Sequence, residues 1–336
     1  MIDCMSNNKN SLATKGMTAF RRFMSRPYSS AILADILLII AFTIGTPNFL
    51  SSTNIFNVLR NASLFTFTAM TQVPLILIGG MSVSAGAIGG MSVIFCGIMM
   101  QNVGLNPWLT ALLAIVFGSL LGLFNAIIIT RFNLSAFVAT LSTSFIYTGL
   151  VYGISKGTPY TGVPEGFTVL GRGELLGLPL VFWLMCVMLI LLAVFFKYFL
   201  TGRRILATGG NSEAARMSGI RTNRVIVLCN VMSGFFAAIT GVLYVSRLGS
   251  APPAVGQDWM LTAFAVGVIG GVSVKGGVFS AVGLFFSGIM MAMIKNGLVM
   301  LGVNQYYEQT FLGAIILIAV IMESIRKKFA GKLQSA

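Results

Sequence analysis

Histidine is absent from all 336 residues, and acidic side chains number only eight against 22 lysines and arginines. Without histidine the chain has no imidazole for acid–base chemistry and cannot build most zinc sites. Its four cysteines, Cys4, Cys96, Cys186 and Cys229, show no CxxC spacing, and three lie in apolar segments where a reduced cysteine acts as a small hydrophobe. No G-x-x-x-x-G-K-[ST] loop occurs, so the chain cannot cradle the phosphates of ATP. Paired acids, the minimum for a membrane hydrolase without metal, are lacking too, which leaves no basis for an enzyme. Charge is scarce overall. Charged residues make up 9% of the sequence and apolar residues 56%, whereas a soluble domain carries about 25% charged residues. Water cannot be the solvent for most of such a surface.

The apolar residues fall into long runs, and a membrane-spanning helix needs about 20 of them. Ten candidates stand near 30–46, 61–79, 87–101, 108–130, 134–154, 179–200, 225–246, 258–271, 278–301 and 310–323. The third, eighth and tenth are short, so the number of spans is eight to ten. The expected fold is all-α: a polytopic helical bundle in a membrane. The first run follows a basic segment carrying Lys9, Lys15, Arg21, Arg22 and Arg26 and has no small-x-small cleavage site behind it, so it reads as a retained helix rather than a signal peptide.

The net charge of +14 orients this bundle and does not mark a nucleic-acid surface, because the basic residues sit in short blocks beside apolar runs. With the N-terminus inside, the inner segments and helix ends hold 17 of the 22 basic residues, and the outer face holds only Arg60, Lys156, Arg172 and Arg247. Both termini are therefore expected in the cytoplasm. The organisation that follows is a basic N-terminal segment over 1–29, a membrane domain over 30–323 and a basic tail over 324–336. Two connections exceed turn length: an outer loop at 155–178 and an inner loop at 201–224.

An internal repeat is visible. Ile78-Gly79-Gly80-Met81-Ser82-Val83-Ser84-Ala85-Gly86 aligns with Ile269-Gly270-Gly271-Val272-Ser273-Val274-Lys275-Gly276-Gly277, and 11 of 23 positions match when the alignment runs to Met100 and Met291. The copies are six spans apart and so share one orientation. A parallel repeat is one way in which transporters build two halves around a path. Each glycine costs a helix about 1 kcal/mol relative to alanine, and non-helical backbone at membrane depth persists only where it lines a cavity or is buried in protein. The glycines therefore read either as a break bordering a solute path or as close helix packing.

The inner loop contains Thr208-Gly209-Gly210-Asn211-Ser212-Glu213-Ala214-Ala215-Arg216-Met217-Ser218-Gly219-Ile220. Gly209 and Gly210 should interrupt what precedes them, Asn211 is a good N-cap, Glu213 suits the positive end of a helix, and Gly219 supplies a stop. The spacing predicts a helix of about two turns. So short a helix is marginal in water, so it must be packed against the bundle or a partner, unless the segment is simply a solvated basic loop.

Gly202-Arg203-Arg204 followed by this stretch resembles the cytoplasmic coupling loop of ribose-type ABC importer permeases, the family that carries ribose, arabinose, xylose, galactose and autoinducer-2. The resemblance extends through Asn125, the run Phe137-Val138-Ala139-Thr140-Leu141, Val268–Gly271 and Asn296–Val303, covering most of 50–322. It implies that Gly209, Gly210, Asn211, Glu213, Ala214, Ala215 and Gly219 couple the permease to a separate ATPase subunit, which binds the ATP, so that this chain needs no cofactor. It also implies a periplasmic solute-binding protein and a second permease copy or paralogue as partners. The candidate solute path comprises Ser82, Ser84, Gly86, Asn125, Thr140, Ser273 and Asn296. The family usually carries an acid in the manner of GG-x-D-L-S-x-G, and here Ser82 stands in that place. A hydroxyl still donates to and accepts from a sugar-like solute. The alternative is a secondary transporter or channel, which would more often show inverted repeats and buried carboxylates for ion coupling. Lys295 and Asp35, both within spans, are expected to snorkel to the nearer surface. Glu165, Glu174, Asp258 and Glu308 on the outer face read as solvated charges or as contacts for a binding protein.

Overall fold

The computed structural model describes residues 29–46 and 48–304, together with 307, 310, 313, 314 and 317. The basic N-terminal segment up to residue 28, the tail at 324–336 and most of the expected tenth span at 310–323 lie outside the described residues. Within them the chain is almost wholly helical. Before the first long loop come α1 (Ser29–Gly45), α2 (Ser52–Ile76), α3 (Ala85–Gln101), α4 (Pro107–Arg131) and α5 (Ala136–Ser155), and α6 (Glu165–Arg172) lies inside that loop. Then α7 (Leu180–Tyr198) leads to α8 (Leu200–Gly210) and α9 (Ser212–Met217), and α10 (Thr222–Leu248), α11 (Trp259–Ile269) and α12 (Ala281–Met300) complete the bundle. Each of the first nine expected spans is a helix.

Local chemistry sets the boundaries. Ser51 caps α2 by accepting from the Asn54 amide at 3.4 Å, Asn106 caps α4 from Trp108 at 2.9 Å with Pro107 at its first position, and Ser280 caps α12 from Gly283 at 3.1 Å. These side chains satisfy amides that no helical carbonyl can reach. The largest departure from expectation is α2, which begins nine residues before the apolar run at 61–79 and ends three before its close. Its first turns are polar (Asn54, Asn57, Arg60) and so escaped a hydropathy reading. Gly79 at φ +73 then turns the chain back so that the Gly80 amide reaches the Leu75 carbonyl at 2.9 Å.

Five helices, α4, α5, α7, α10 and α12, are long and apolar enough to cross a membrane. Large apolar side chains stand outward on them, among them Leu112 and Phe124 on α4 and Phe145 and Ile146 on α5. Lipid or another protein must cover such faces. The inner helix is α2, which packs against α7, α10, α11 and α12. It is less apolar because Ser63, Thr66, Thr68, Thr71 and Gln72 are all buried along it. The Ser63, Thr66 and Thr68 hydroxyls donate to carbonyls four residues back at 2.8–2.9 Å, so they stay paired without water. Around α2 lies the main apolar core, which includes Phe67, Met70, Met185, Phe196, Ile205 and Leu284.

The loop at 155–178 is more ordered than its glycine and proline content suggests. α6 buries Phe167, and a small antiparallel hairpin pairs Glu174–Leu175 with Leu178–Pro179. Arg172 donates from Nε to the Arg247 carbonyl at 2.8 Å and from Nη2 to the Leu248 carbonyl at 2.7 Å, closing the last turn of α10.

Two pairs of neighbouring spans are joined through glycine-bearing breaks. Helix, break and helix recur at α2, 77–84, α3 and at α11, 270–280, α12, with both lead helices running toward the end of the bundle that carries α8 and α9. This is the parallel repeat. The chain reaches α11 by an unusual route. After α10 the segment 249–258 re-enters the bundle alongside α3, with Ala251 against Gly97 and Gly256 against Gly86, a descent of about 16 Å at 1.5 Å per residue. α11 thus begins well inside the bundle and spans only the remaining depth. Gly256 sits at φ +101, and a Cβ there would overlap the Gly86 carbonyl oxygen. Gly256→Ala is therefore expected to cost at least about 1–3 kcal/mol from its backbone alone, read as a lower midpoint of thermal unfolding in detergent. Gly166→Ala, where an added Cβ meets nothing within 4 Å, should leave that midpoint unchanged.

Candidate functional site

Three glycine-bearing segments converge at the end of the bundle that carries the basic loop. The Gly277 amide of the second break donates to the Leu77 carbonyl of the first at 2.9 Å. Gly209, near the end of α8, lies so close that a Cβ would overlap the same Leu77 carbonyl oxygen and crowd the Gly277 nitrogen. Gly276, at φ +91, lies just as tightly against the Gly209 carbonyl. Both breaks and the last turn of α8 thus form one backbone joint in which no side chain can intervene. α8 is fixed to the bundle beside it by buried Ile205 and Thr208.

From this joint the chain passes directly into α9. The Asn211 side chain accepts from the Ala214 amide at 3.0 Å and starts the helix. Gly219 at φ +82 ends it, with its amide on the Arg216 carbonyl and the Ile220 amide on the Ala215 carbonyl, both at 3.0 Å. Only Ala215 is buried; Glu213, Ala214 and Met217, the last 87% exposed, face away from the bundle. A six-residue helix with an apolar tip stands out from the bundle on a rigid base. The predicted cap and stop coincide with the observed ones, and Gly209 and Gly210 interrupt what precedes them by ending α8.

The first break is held from its other side by a buried polar network. Gln72 accepts from the Ser82 amide at 3.1 Å and donates from Nε2 to the Ser82 carbonyl. Ser82 and Ser84 share a hydrogen bond of 3.1 Å between their hydroxyls, Asn125 Nδ2 donates to Ser84 Oγ at 2.7 Å, and the Tyr147 hydroxyl donates to Asn125 Oδ1 at 3.1 Å. The Val83 amide donates to Thr140 Oγ1 at 3.1 Å. Four of the expected path residues, Ser82, Ser84, Asn125 and Thr140, are thereby brought together; each is buried, Thr140 bonded to the backbone of the break and the other three to one another through their side chains. Gln72 and Tyr147 complete the network and were not foreseen, although a glutamine among the hydroxyls of α2 is the kind of intramembrane polar group that invites a partner.

The remaining expected residues lie elsewhere. Gly86 packs on Gly256 and lines a cavity of about 120 Å³ with Val83, Ser144, Thr148 and Gln257. Ser273 is half-buried in the turn of the second break, where its carbonyl accepts from the Gly276 amide at 2.8 Å, and it joins no counterpart of the serine network. Asn296 donates to Asn54 Oδ1 at 2.9 Å beside the first turns of α2, at the opposite end of the bundle. Lys275 is exposed in the second break, its carbonyl facing Gly79. Two ionisable residues depart from the expected snorkelling. Asp35 is buried, and neither of its oxygens finds a hydrogen-bond partner among the described residues. Lys295 turns inward, with Nζ 5.2 Å from the centroid of the Phe65 ring halfway along α2, because a helical side chain leans toward the N-terminus of its helix.

A multi-pass bundle with paired broken spans and an outstanding capped helix defines a membrane permease rather than an enzyme. The comparisons agree. The family described as the permease component of the branched-chain amino acid transport system matches residues 54–320. The chain is 36% identical over 300 residues to the ribose import permease protein of Bacillus subtilis, covering 89% of this chain and 92% of that one. It is 29% identical over 315 residues to the ribose import permease protein of Escherichia coli, covering 90% and 97%. With the galactose/methyl galactoside import permease protein of Escherichia coli it shares 32% over 313 residues, covering 88% and 93%. No solved structure matches the chain. This protein belongs to the ribose-type branch of that permease family.

The network makes a defined prediction for stability. Asn125→Leu removes two buried hydrogen bonds, leaving Ser84 only its bond to Ser82 and Tyr147 only the Leu121 carbonyl at 3.4 Å, at a cost of about 0.5–1.5 kcal/mol for each bond lost. Its thermal midpoint in detergent should fall clearly. Thr130→Val on the same helix removes only a bond to the Ala126 carbonyl and should change little.

Proposed function

We propose that this chain is the membrane-spanning subunit of an ATP-driven importer that carries a sugar across the inner membrane of a bacterium. The observation that carries this reading is the joint between Gly209, Leu77 and Gly277, since it ties an exposed docking helix directly to both broken spans. The ribose and galactose permeases to which the chain is similar support a monosaccharide as the solute. Energy enters through a separate ATPase subunit, which binds ATP and receives α9 in a cleft. Glu213, Ala214 and Met217 supply the contact, and Asn211 and Gly219 fix its length. When the ATPases close, α9 moves with its base, and the base moves both breaks.

In this reading both chain termini and residues 202–224 lie in the cytoplasm, as the concentration of basic residues there favours, and 155–178 faces the periplasm. The order that α6 and Arg172 impose on that loop suits it to receive a solute-binding protein. A second permease, identical or related, covers part of the apolar surface on α4 and α5, and lipid covers the rest. Ser82, Ser84, Asn125 and Thr140 act on the solute indirectly: they hold the first break against the cavity that Gly86 and Val83 line. Ser273 holds the turn of the second break.

Ala214→Trp tests the coupling role. The residue lies outside the bundle and is exposed, so the variant should reach normal abundance in the membrane. Sugar uptake should nevertheless fall at least about tenfold, the effect of ~1.4 kcal/mol. Normal uptake would remove this helix from the coupling path.

A further inference from the structure

The re-entrant segment 249–258 separates two cavities, since Val255, Gly256 and Gln257 border both. One is the cavity beside Gly86. The other, of about 190 Å³, lies between α2, α10, α11 and α12. Its walls differ in kind from the rest of the interior. The Tyr244 and Trp259 rings meet with centroids 5.2 Å apart and planes inclined at 38°. Lys295 reaches across the Phe65 ring, and Asp258 and Thr262 stand on the same wall.

We infer that this cavity is a transient binding site for the solute within a single permease subunit, and that its ligand is a neutral, polyhydroxylated molecule of monosaccharide size. The inference rests on the sugar-import reading and deepens it. Three features carry it. The volume is the room of about six water molecules, which suits a compact solute. Tyr244 and Trp259, packed on each other, give one side of the cavity an apolar lining for the C–H side of a sugar ring. Lysine, aspartate and threonine together supply donors and acceptors of both kinds, matching hydroxyls that each donate and accept. A wall bearing both signs of charge favours neither an anion nor a cation. The position fits a site in transit, because Phe65 is halfway along α2 and the segment that borders the cavity is the one that re-enters the bundle ahead of the short α11. Ionisable groups at such depth are costly unless they serve a site.

The test uses the complete complex of permease, ATPase and binding protein in proteoliposomes, with uptake of labelled d-ribose and d-galactose as probes. Lys295→Met and Asp258→Asn should each lower uptake by at least about tenfold, since hydrogen bonds to charged groups contribute about 1.5–3 kcal/mol. ATP hydrolysis stimulated by the binding protein should persist, because the joint at Gly209 is untouched. Uptake at the wild-type rate by both variants overturns the site and leaves the importer reading intact. Should either variant fail to assemble, Thr262→Cys decides: d-ribose should slow its labelling by N-ethylmaleimide beyond any effect on the native cysteines. Labelling indifferent to d-ribose and d-galactose overturns the site. A wild-type complex that imports neither sugar overturns the sugar reading itself, and this ligand assignment with it.

Discussion

A helix that stops inside an apolar bundle leaves backbone amides and carbonyls that water cannot reach, and each one left unpaired costs several kcal/mol. This chain stops helices at the two repeat breaks, at the end of the bundle that carries α8 and α9, where Leu77, Ser82, Ser84 and Gly276 are nevertheless buried, and much of the structure answers that cost. The first break is answered on one side by side chains, with Gln72 gripping both the amide and the carbonyl of Ser82 and Thr140 taking the Val83 amide. It is answered on the other by the second break, whose Gly277 amide reaches the Leu77 carbonyl. The two halves of the repeat thus satisfy each other.

That mutual dependence explains the concentration of glycine. Backbone-to-backbone contact at Gly209, Gly276 and Leu77 leaves no room for a Cβ, and a joint made of main chain transmits displacement with little slack, because tightly packed elements shift as units rather than deform. α9 stands on this joint with Ala215 as its only buried residue. Its own stability is negligible, so its orientation is inherited from the base. A push applied to α9 is a push applied to both breaks, and the first break borders one of the two cavities beside the re-entrant segment through Val83.

Much of this was legible in the sequence. The apolar runs located nine spans to within a few residues, since lipid imposes length and composition on a helix regardless of its neighbours. α2 was the exception because its first turns carry Asn54, Asn57 and Arg60, which no apolar run includes. The Asn211 cap and the Gly219 stop were readable because capping is local chemistry. The paired glycine motifs announced the repeat. The sequence did not reveal that Ser84 of the first motif is bonded to Asn125, and Asn125 to Tyr147, because hydrogen bonds spanning 41 and 22 residues leave no local trace. It was silent also on the descent of 249–258 alongside α3, where an expected outer connection becomes part of the interior. Lys295 was read by its distance from the helix end, whereas its direction is set by the lean of helical side chains toward the N-terminus.

The central claim is that α9 and the two breaks move as one body. Spin labels at Ser212→Cys and Lys275→Cys, both exposed positions, report it directly in the assembled complex. The distance between them is predicted to be the same in the resting complex and in one trapped with ATP bound. A change of more than about 5 Å, one helical turn, in a complex that still transports would contradict it.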